Sequence, residues 1–246
     1  MSNFGFAILS SIIVSFISFV GAFSLLLNEK LLKKILILLV ALAAGSLIGG
    51  AFLHLLPEAM EKSSNTMLPF IYVILGFTAF FILEKYLFWR HCHKQVCDIH
   101  RFTYLNLIGD GLHNFIDGMI IAVSFATDIH LGIATTLAII LHEIPQELGD
   151  FGVLIYGGMK PTKALFFNFL SAITAVVGTV IGYYFVGMLS GFTFLLMSFA
   201  AGGFIYIGAC DLIPELHRQP DRKSAVMTML IFLLGLGLMF VLKLIH

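Results

Sequence analysis

The sequence predicts an all-α integral membrane protein, one domain of eight transmembrane helices over residues 1–246. Composition is the first reason. The 246 residues are 59% hydrophobic and 11% charged, with mean hydropathy +1.01, whereas soluble domains run near 25% charged. The second is segment length. A helix needs ~20 apolar residues to cross a ~30 Å hydrocarbon core, and eight stretches meet that need, leaving almost nothing for a soluble domain. The third is the placement of the few polar residues, which fall at helical spacing inside two of the stretches.

The stretches are 4–27, 35–57, 66–89, 103–127, 130–157, 163–187, 191–213 and 224–244. The first begins "MSNFGFAILSSIIV"; it lacks a basic leader and its apolar run is too long for a cleaved signal peptide, so it reads as a retained span. Residues 164–210 hold no Asp, Glu, Lys or Arg, so that run is two helices, hinged near Met188-Leu189-Ser190-Gly191. With eight crossings both termini share one side. Lys30, Lys33, Lys34, Lys85, Arg90, Lys94, Arg101, Lys160, Lys163, Arg218, Arg222 and Lys223 gather on the other, leaving Lys62 and Lys243. The positive-inside rule then places both termini outside the cytoplasm. A bacterial inner membrane is the expected setting. The three cysteines, Cys92, Cys97 and Cys210, form no disulfide framework, since two fall in a cytoplasmic loop. Zero net charge argues against a nucleic-acid partner.

A repeat is visible. "AAGSLIGGAFLHLLPE" (43–58) aligns without a gap on "AAGGFIYIGACDLIPE" (200–215) at an offset of 157, with seven of sixteen positions identical. The first closes span two and the second span seven, so they run in opposite directions, the arrangement of inverted-repeat transporters; the plain alternative is chance recurrence of small residues and a helix-ending Pro-Glu in apolar helices.

The stretch "DGLHNFIDGMIIA" (110–122) sets a harder problem, because a charged side chain at mid-membrane costs a few kcal/mol or more. Asp110, His113, Asn114 and Asp117 stand at i, i+3, i+4 and i+7, one stripe of one helix. In "LHEIPQELGDFG" (141–152), Glu143, Gln146, Glu147 and Asp150 repeat the spacing, with His142 on the adjoining row. The connection near 126–130 is short, so spans four and five are antiparallel neighbours. Asp117 and Glu143 lie at comparable depth, and the two seams can face each other. Imidazole, carboxylate and amide oxygen suit Zn, Fe, Mn or Ni and disfavour Cu(I). Several carboxylates repel one another alone but are compensated around a 2+ ion. Pro145 cannot bond the Leu141 carbonyl, which frees that oxygen for a cavity or hydrated ion. The alternative is a polar network that satisfies itself and packs two helices.

These residues resemble the ZIP (Zrt/Irt-like) family of zinc and iron uptake transporters, across all eight spans. The resemblance is closest to the branch with HNxxDG in span four and HExPHExGD in span five, here His113-Asn114-Phe115-Ile116-Asp117-Gly118 and His142-Glu143-Ile144-Pro145-Gln146-Glu147-Leu148-Gly149-Asp150. It implies a ZIP-type bundle with inverted repeats and central helices four and five, a homodimer, and a paired metal site. Its ligands would be His113, Asn114, Asp117, His142, Glu143 and Gln146. The cargo would be a divalent ion moving into the cytoplasm, zinc first, with Fe2+, Mn2+ or Cd2+ as others. Gln146 stands where the branch carries a second histidine, and a neutral amide is a weaker, harder ligand. In "NFLSAITAVVG", Asn168 and Ser171 also match the family; Ser171 aligns with a ligating glutamate of some relatives. Asp110, Glu147, Asp150, Ser171, Asp211 and His54 are secondary candidates along the metal pathway, with Glu215 a weaker one at a mouth. The cytoplasmic loop 90–102 contains "RHCHKQVCDIHR", and its His91, His93 and His100 resemble the histidine-rich loop of many ZIP proteins; the plain alternative is a solvated basic loop.

No GxxxxGK[ST] loop is present, so ATP is not expected to drive transport, and no enzymatic activity is expected. An inside-negative potential favours entry of a 2+ ion by ~4.6 kcal/mol per 100 mV. Two other readings stand beside transport inward. One is an intramembrane zinc hydrolase, because "HEIPQE" resembles HExxH; Gln at 146 and a helix interrupted at Pro145 count against it. The other is a metal exporter.

Overall fold

The computed structural model describes residues 2–21, 29–91, 100–185, 193–218 and 222–245, and these are almost entirely helical. In order they form α1 (Asn3–Ile17), α2 (Glu29–Gly49), a π-helical segment (Gly50–Leu55), α3 (Leu56–Lys62), α4 (Met67–His91), α5 (Arg101–Thr127) and α6 (Ile129–Tyr156). There follow α7 (Pro161–Ala172), α8 (Thr174–Tyr184), α9 (Thr193–Tyr206), a second π-helical segment (Ile207–Leu212), α10 (Ile213–His217) and α11 (Arg222–Ile245). Helix is the expected answer for so apolar a chain, because in lipid each backbone N–H must find its acceptor within the segment.

Six described stretches are long and apolar enough to cross a membrane: Asn3–Gly21, Ile35–Lys62, Met67–Tyr86, Pro161–Tyr184, Thr193–His217 and Arg222–Leu244. Helices α5 and α6 have 27 and 28 residues, ~40 Å each, but carry the polar seam. Helix α5 is mostly buried, packed against α8, α6, α1 and α7. Helix α6 shows a second face, where Ile133, Leu137, Leu141 and Ile144 are exposed. It is apolar outward and polar inward, as a lipid-facing helix around a polar core should be. The hinge expected at 188–191 and the end of the first span at 22–27 lie outside the described residues.

The connection between α5 and α6 is a single residue, Asp128. Its side chain accepts hydrogen bonds from the N–H groups of His130 (2.8 Å) and Leu131 (3.1 Å), an N-cap that starts α6 antiparallel to α5. Beside it Thr135 donates to Ser124 Oγ at 3.1 Å. Contrary to the expected interruption, α6 runs unbroken through Pro145. A proline costs its own hydrogen bond, but a helix supported by neighbours within a bundle absorbs that loss. The Pro145 objection to the hydrolase reading therefore falls, and the Gln146 objection stands.

The break in the apolar run 161–184 was not foreseen. Helix α7 ends at Ala172 and α8 starts at Thr174. Ser15 of α1 donates to the Ala172 carbonyl at 2.9 Å, and Thr174 Oγ1 donates to Gly111 O at 2.6 Å, so the irregular turn is stitched to α1 and α5.

The 157-residue repeat appears in the local structure. The two π-helical segments, Gly50–Leu55 and Ile207–Leu212, differ by that offset at both ends. Leu56 N–H donates to Ala51 O and Ile213 N–H to Gly208 O, each reaching back five residues instead of four. Pro57 and Pro214 follow directly, at the start of α3 and α10. A proline cannot donate and its ring crowds the carbonyl four residues back, so a widened turn before it relieves both problems. The packing repeats as well. Helix α2 lies on α11 as α9 lies on α4. A Cβ on Gly45 would strike Phe232 O, and one on Gly235 would stand 2.6 Å from Leu42 O. In the other pair, a Cβ on Gly202 would strike Val73 O, and one on Gly76 would strike Phe199 O. Leu42 and Phe199, like Gly45 and Gly202, are 157 apart. Small residues at crossings let backbones touch where lipid offers no hydrophobic drive for association.

Candidate metal centre

The seam on α5 and the seam on α6 meet face to face. Asp110, His113, Asn114 and Asp117 are all within 2% of complete burial, and so are Glu143, Gln146, Glu147 and Asp150; His142 is 5% exposed. Four of these residues converge. One ligand atom from each of His113, Asp117, His142 and Glu143 can be chosen so that all four lie within 4.8 Å of one another. His142 Nε2 stands 3.0 Å from Asp117 Oδ2 and 3.7 Å from Glu143 Oε1. His113 Nε2 stands 3.3 Å from Glu143 Oε1 and 3.6 Å from Asp117 Oδ2. The spacing explains the geometry. His113 and Asp117 are one turn apart on α5, while His142 and Glu143 are adjacent on α6, so two short rungs cross between antiparallel helices.

Much of this cluster's bonding capacity is unused. Both oxygens of Glu143, Asp117 Oδ1 and both ring nitrogens of His113 make no hydrogen bond to protein. Buried polar atoms normally find partners. Two imidazoles and two carboxylates, all buried and converging, offer the donor set that a borderline divalent ion takes.

Two residues of the expected ligand set are placed differently. Asn114 gives its NH2 to Asp110 Oδ1 (2.9 Å), one turn back on α5, and its Oδ1 is left without a partner. Gln146 is buried with its Nε2 unpartnered. His54, in the first π-helical segment, stacks toward the cluster with its ring centroid 4.9 Å from that of His142. Phe204 of α9 closes the other side, 5.1 Å from the His113 ring.

Along the seam toward the Asp150 end lies a second polar group. Ser171 donates to Asp110 Oδ2 at 2.5 Å, Asn168 donates to Glu147 Oε2, and Asn106 donates to Asp150 Oδ1 at 3.0 Å. Asn106 was missed in the sequence, although it extends the stripe one turn before Asp110. Asp211 belongs to the second π-helical segment and is partly exposed. Glu215 is engaged: Tyr156 donates to its Oε2 at 2.9 Å and Arg218 to its Oε1 at 2.5 Å. Another pair the sequence did not reveal joins α9 to α4, Tyr206 donating to Glu84 at 2.5 Å. Of the loop histidines, His100 is an exposed N-cap of α5 whose backbone N–H donates to Gly157 O at 2.8 Å. His93, Cys92, Cys97 and the His91 side chain lie outside what is described.

Apolar helices around a buried core of imidazole and carboxylate define an integral membrane protein with a metal-competent interior. A family model described as ZIP zinc transporter matches residues 4–98 and 90–243, and the chain belongs to that family. It is similar to zinc transporter zipt-7.1 of Caenorhabditis briggsae, 28% identical over 279 aligned positions that cover 85% of this chain and 71% of that protein. It is similar also to metal cation symporter ZIP14 of Bos taurus, 38% identical over 166 positions (61% of this chain, 33% of that protein). IAA-alanine resistance protein 1 of Arabidopsis thaliana is 40% identical over 148 positions (59% and 31%). The chain thus spans about a third of the length of the latter two relatives.

Proposed function

We propose that the protein carries a divalent metal ion, zinc first, across the membrane into the cytoplasm through the cluster of His113, Asp117, His142 and Glu143. The single observation that carries this is the convergence of those four ligand atoms within 4.8 Å inside an otherwise apolar bundle. Names of relatives from a nematode and a mammal, a zinc transporter and a metal cation symporter, support it. In this reading α5 and α6 are the fourth and fifth of eight crossings, and the repeats around residues 50 and 207 run in opposite directions. The basic residues then hold both termini outside the cytoplasm, and an inside-negative potential drives entry of a 2+ ion. Asn114 and Gln146 remain candidate ligands that would reorient around a bound ion, His54 lies at the approach to the cluster, and Asp211 on the way out. A homodimer in a bacterial inner membrane completes the reading.

Zinc-indicator fluorescence inside proteoliposomes tests it. The expected result is saturable entry that disappears in the His142→Ala/Glu143→Ala variant. Undiminished flux in that variant refutes the site, and zinc binding without entry of any metal would restore the hydrolase.

A further inference from the structure

Away from the polar seam, α2 and α11 pack side by side and run in the same direction. They touch at small residues. A Cβ on Gly45 would stand 2.2 Å from Phe232 O, and one on Gly49 would stand 2.8 Å from Met239 Cβ. Nearer the starts of the two helices the contact opens into a cleft of about 180 Å3, lined by Ile37 and Leu38 of α2 and by Lys223, Ser224, Met227 and Thr228 of α11. Larger side chains stand there in place of the glycines that close the crossing. None of the six belongs to the seam, and metal transport gives the cleft no task.

The end of the cleft nearer the helix starts is basic. Residues 29–38 and 221–228 hold Lys30, Lys33, Lys34, Arg222 and Lys223 against only Glu29 and Asp221. Lys33 and Lys34 occupy the positions one turn before Ile37 and Leu38 on α2, and Lys223 stands one turn before Met227 on α11. Arg222 and Lys223 are exposed, and Lys223 makes no ion pair among the described residues. The other end is apolar. Thr228 spends its hydroxyl on the carbonyls of Ser224 and Ala225, both at 3.0 Å, so no side chain beyond Ser224 offers the cleft a donor. From Met227 the apolar lining continues along α11 through Leu230 and Leu234, which are 52% and 51% exposed. Water and counterions alone would satisfy a basic cluster. A basic cluster set over an apolar cleft that opens onto a lipid-facing helix matches a molecule with an anionic head and a hydrocarbon tail. A free phosphate would leave the apolar half unused.

We propose that the cleft between the starts of α2 and α11 seats one anionic phospholipid, its phosphate held by Lys223 and Arg222 and an acyl chain laid on Ile37, Leu38 and Met227. Lys30, Lys33 and Lys34 add to the positive field at the same end. The seven residues from Met227 to Leu234 span about 10 Å of helix, within the ~15 Å depth of one leaflet. In the topology proposed above both helix starts face the cytoplasm, the side on which anionic lipid attracts basic segments. The site itself depends neither on that orientation nor on metal transport.

Native mass spectrometry of the full chain in detergent counts bound lipid directly. The probes are phosphatidylglycerol and phosphatidylcholine with the same palmitoyl and oleoyl chains. The parent should retain one phosphatidylglycerol, bound about tenfold or more tightly than phosphatidylcholine. Arg222→Gln/Lys223→Gln should bring the two lipids level. Met227→Trp, which fills the cleft without changing charge, should weaken phosphatidylglycerol as well. Lys160→Gln/Lys163→Gln removes the same charge between α6 and α7 and should bind like the parent. Elution and melting without added lipid report that each variant is folded; if the Arg222/Lys223 variant does not purify as a single species, Lys223→Gln alone carries the same expectation. An undiminished preference in the Arg222/Lys223 variant overturns the proposal, and so does an equal loss in the Lys160/Lys163 variant, which would make the attraction a diffuse one. Unchanged binding in Met227→Trp removes the acyl seat and refutes it too. Displacement of the lipid by inorganic phosphate as readily as by more phosphatidylglycerol would mark a site for a free anion instead.

Discussion

Replacing Asp117 by asparagine keeps the size and shape of a fully buried side chain and removes one unit of charge from the imidazole cluster. Its Oδ2 lies 3.0 and 3.6 Å from the two histidine Nε2 atoms, and the four ligand atoms share a 4.8 Å neighbourhood. At an effective dielectric of about 20, two unit charges ~4 Å apart interact by about 4 kcal/mol. A dication therefore loses about 8 kcal/mol of attraction on Asp117→Asn. The repulsion between Asp117 and Glu143 is present with and without the ion and cancels from the affinity, while solvation of the carboxylate in the free protein offsets part of the attraction. If even half of the attraction is realised, about 4 kcal/mol, the dissociation constant rises roughly a thousandfold or more. Zinc affinity measured by competition with a chelating dye in detergent checks this, beside uptake into liposomes. A fall in affinity of less than tenfold, in a variant that elutes and melts like the parent, would refute the assignment of Asp117 to the ion.

Two further outcomes follow from the packing and from the α6 cap. A Cβ on Gly118 would strike the main chain of Ala175 in α8, so Gly118→Val should cost about 1–3 kcal/mol and lower the melting temperature by several degrees. Gly237→Val, where a Cβ meets nothing within 4 Å, should leave it unchanged; equal shifts in the two would discredit the crossing. The exposed carboxyl of Asp128 is held below the ordinary carboxylate range by the N–H groups of Leu131 and His130. Its folded value is depressed, so its contribution is present in full above the unfolded value near 4 and is lost as pH falls through the folded one. Asp128→Asn should therefore melt below the parent at pH 7 with the gap narrowing toward pH 3, and a gap constant with pH would exclude the carboxylate as the cause.

The polar seam was legible because its residues obey helical spacing in a background with almost no other charge. From that spacing alone Asp117 could be set opposite Glu143. Spacing specifies a face but not a rotamer, so it could not show that Asn114 spends its amide on Asp110. Asn106 went unread because an isolated asparagine in an apolar helix carries little signal until Asp150, 44 residues away, is found against it. The pairs Tyr156–Glu215 and Tyr206–Glu84 are of the same long-range kind. The repeat was seen as letters, and the letters did not disclose the widened turn they encode. Pro145 was over-read: a proline removes one hydrogen bond, and whether the helix then breaks depends on neighbours that the local sequence does not name.

The matched π-helical segments change how the flanking helices must be phased. Each wide turn absorbs one residue beyond the α-helical count, so everything after it lies about 100° behind where a continuous α-helix would put it. A helical wheel drawn continuously from residue 35 to residue 62, or from 193 to 217, therefore assigns the wrong face to every position past the wide turn. His54 and Asp211 sit at equivalent places inside those turns, so the direction each side chain takes depends on that added residue. Deleting one residue there would let the wide turn close to the α-helical count while the remainder of the helix keeps its present neighbours, and the copy 157 positions away would serve as an unaltered reference in the same molecule.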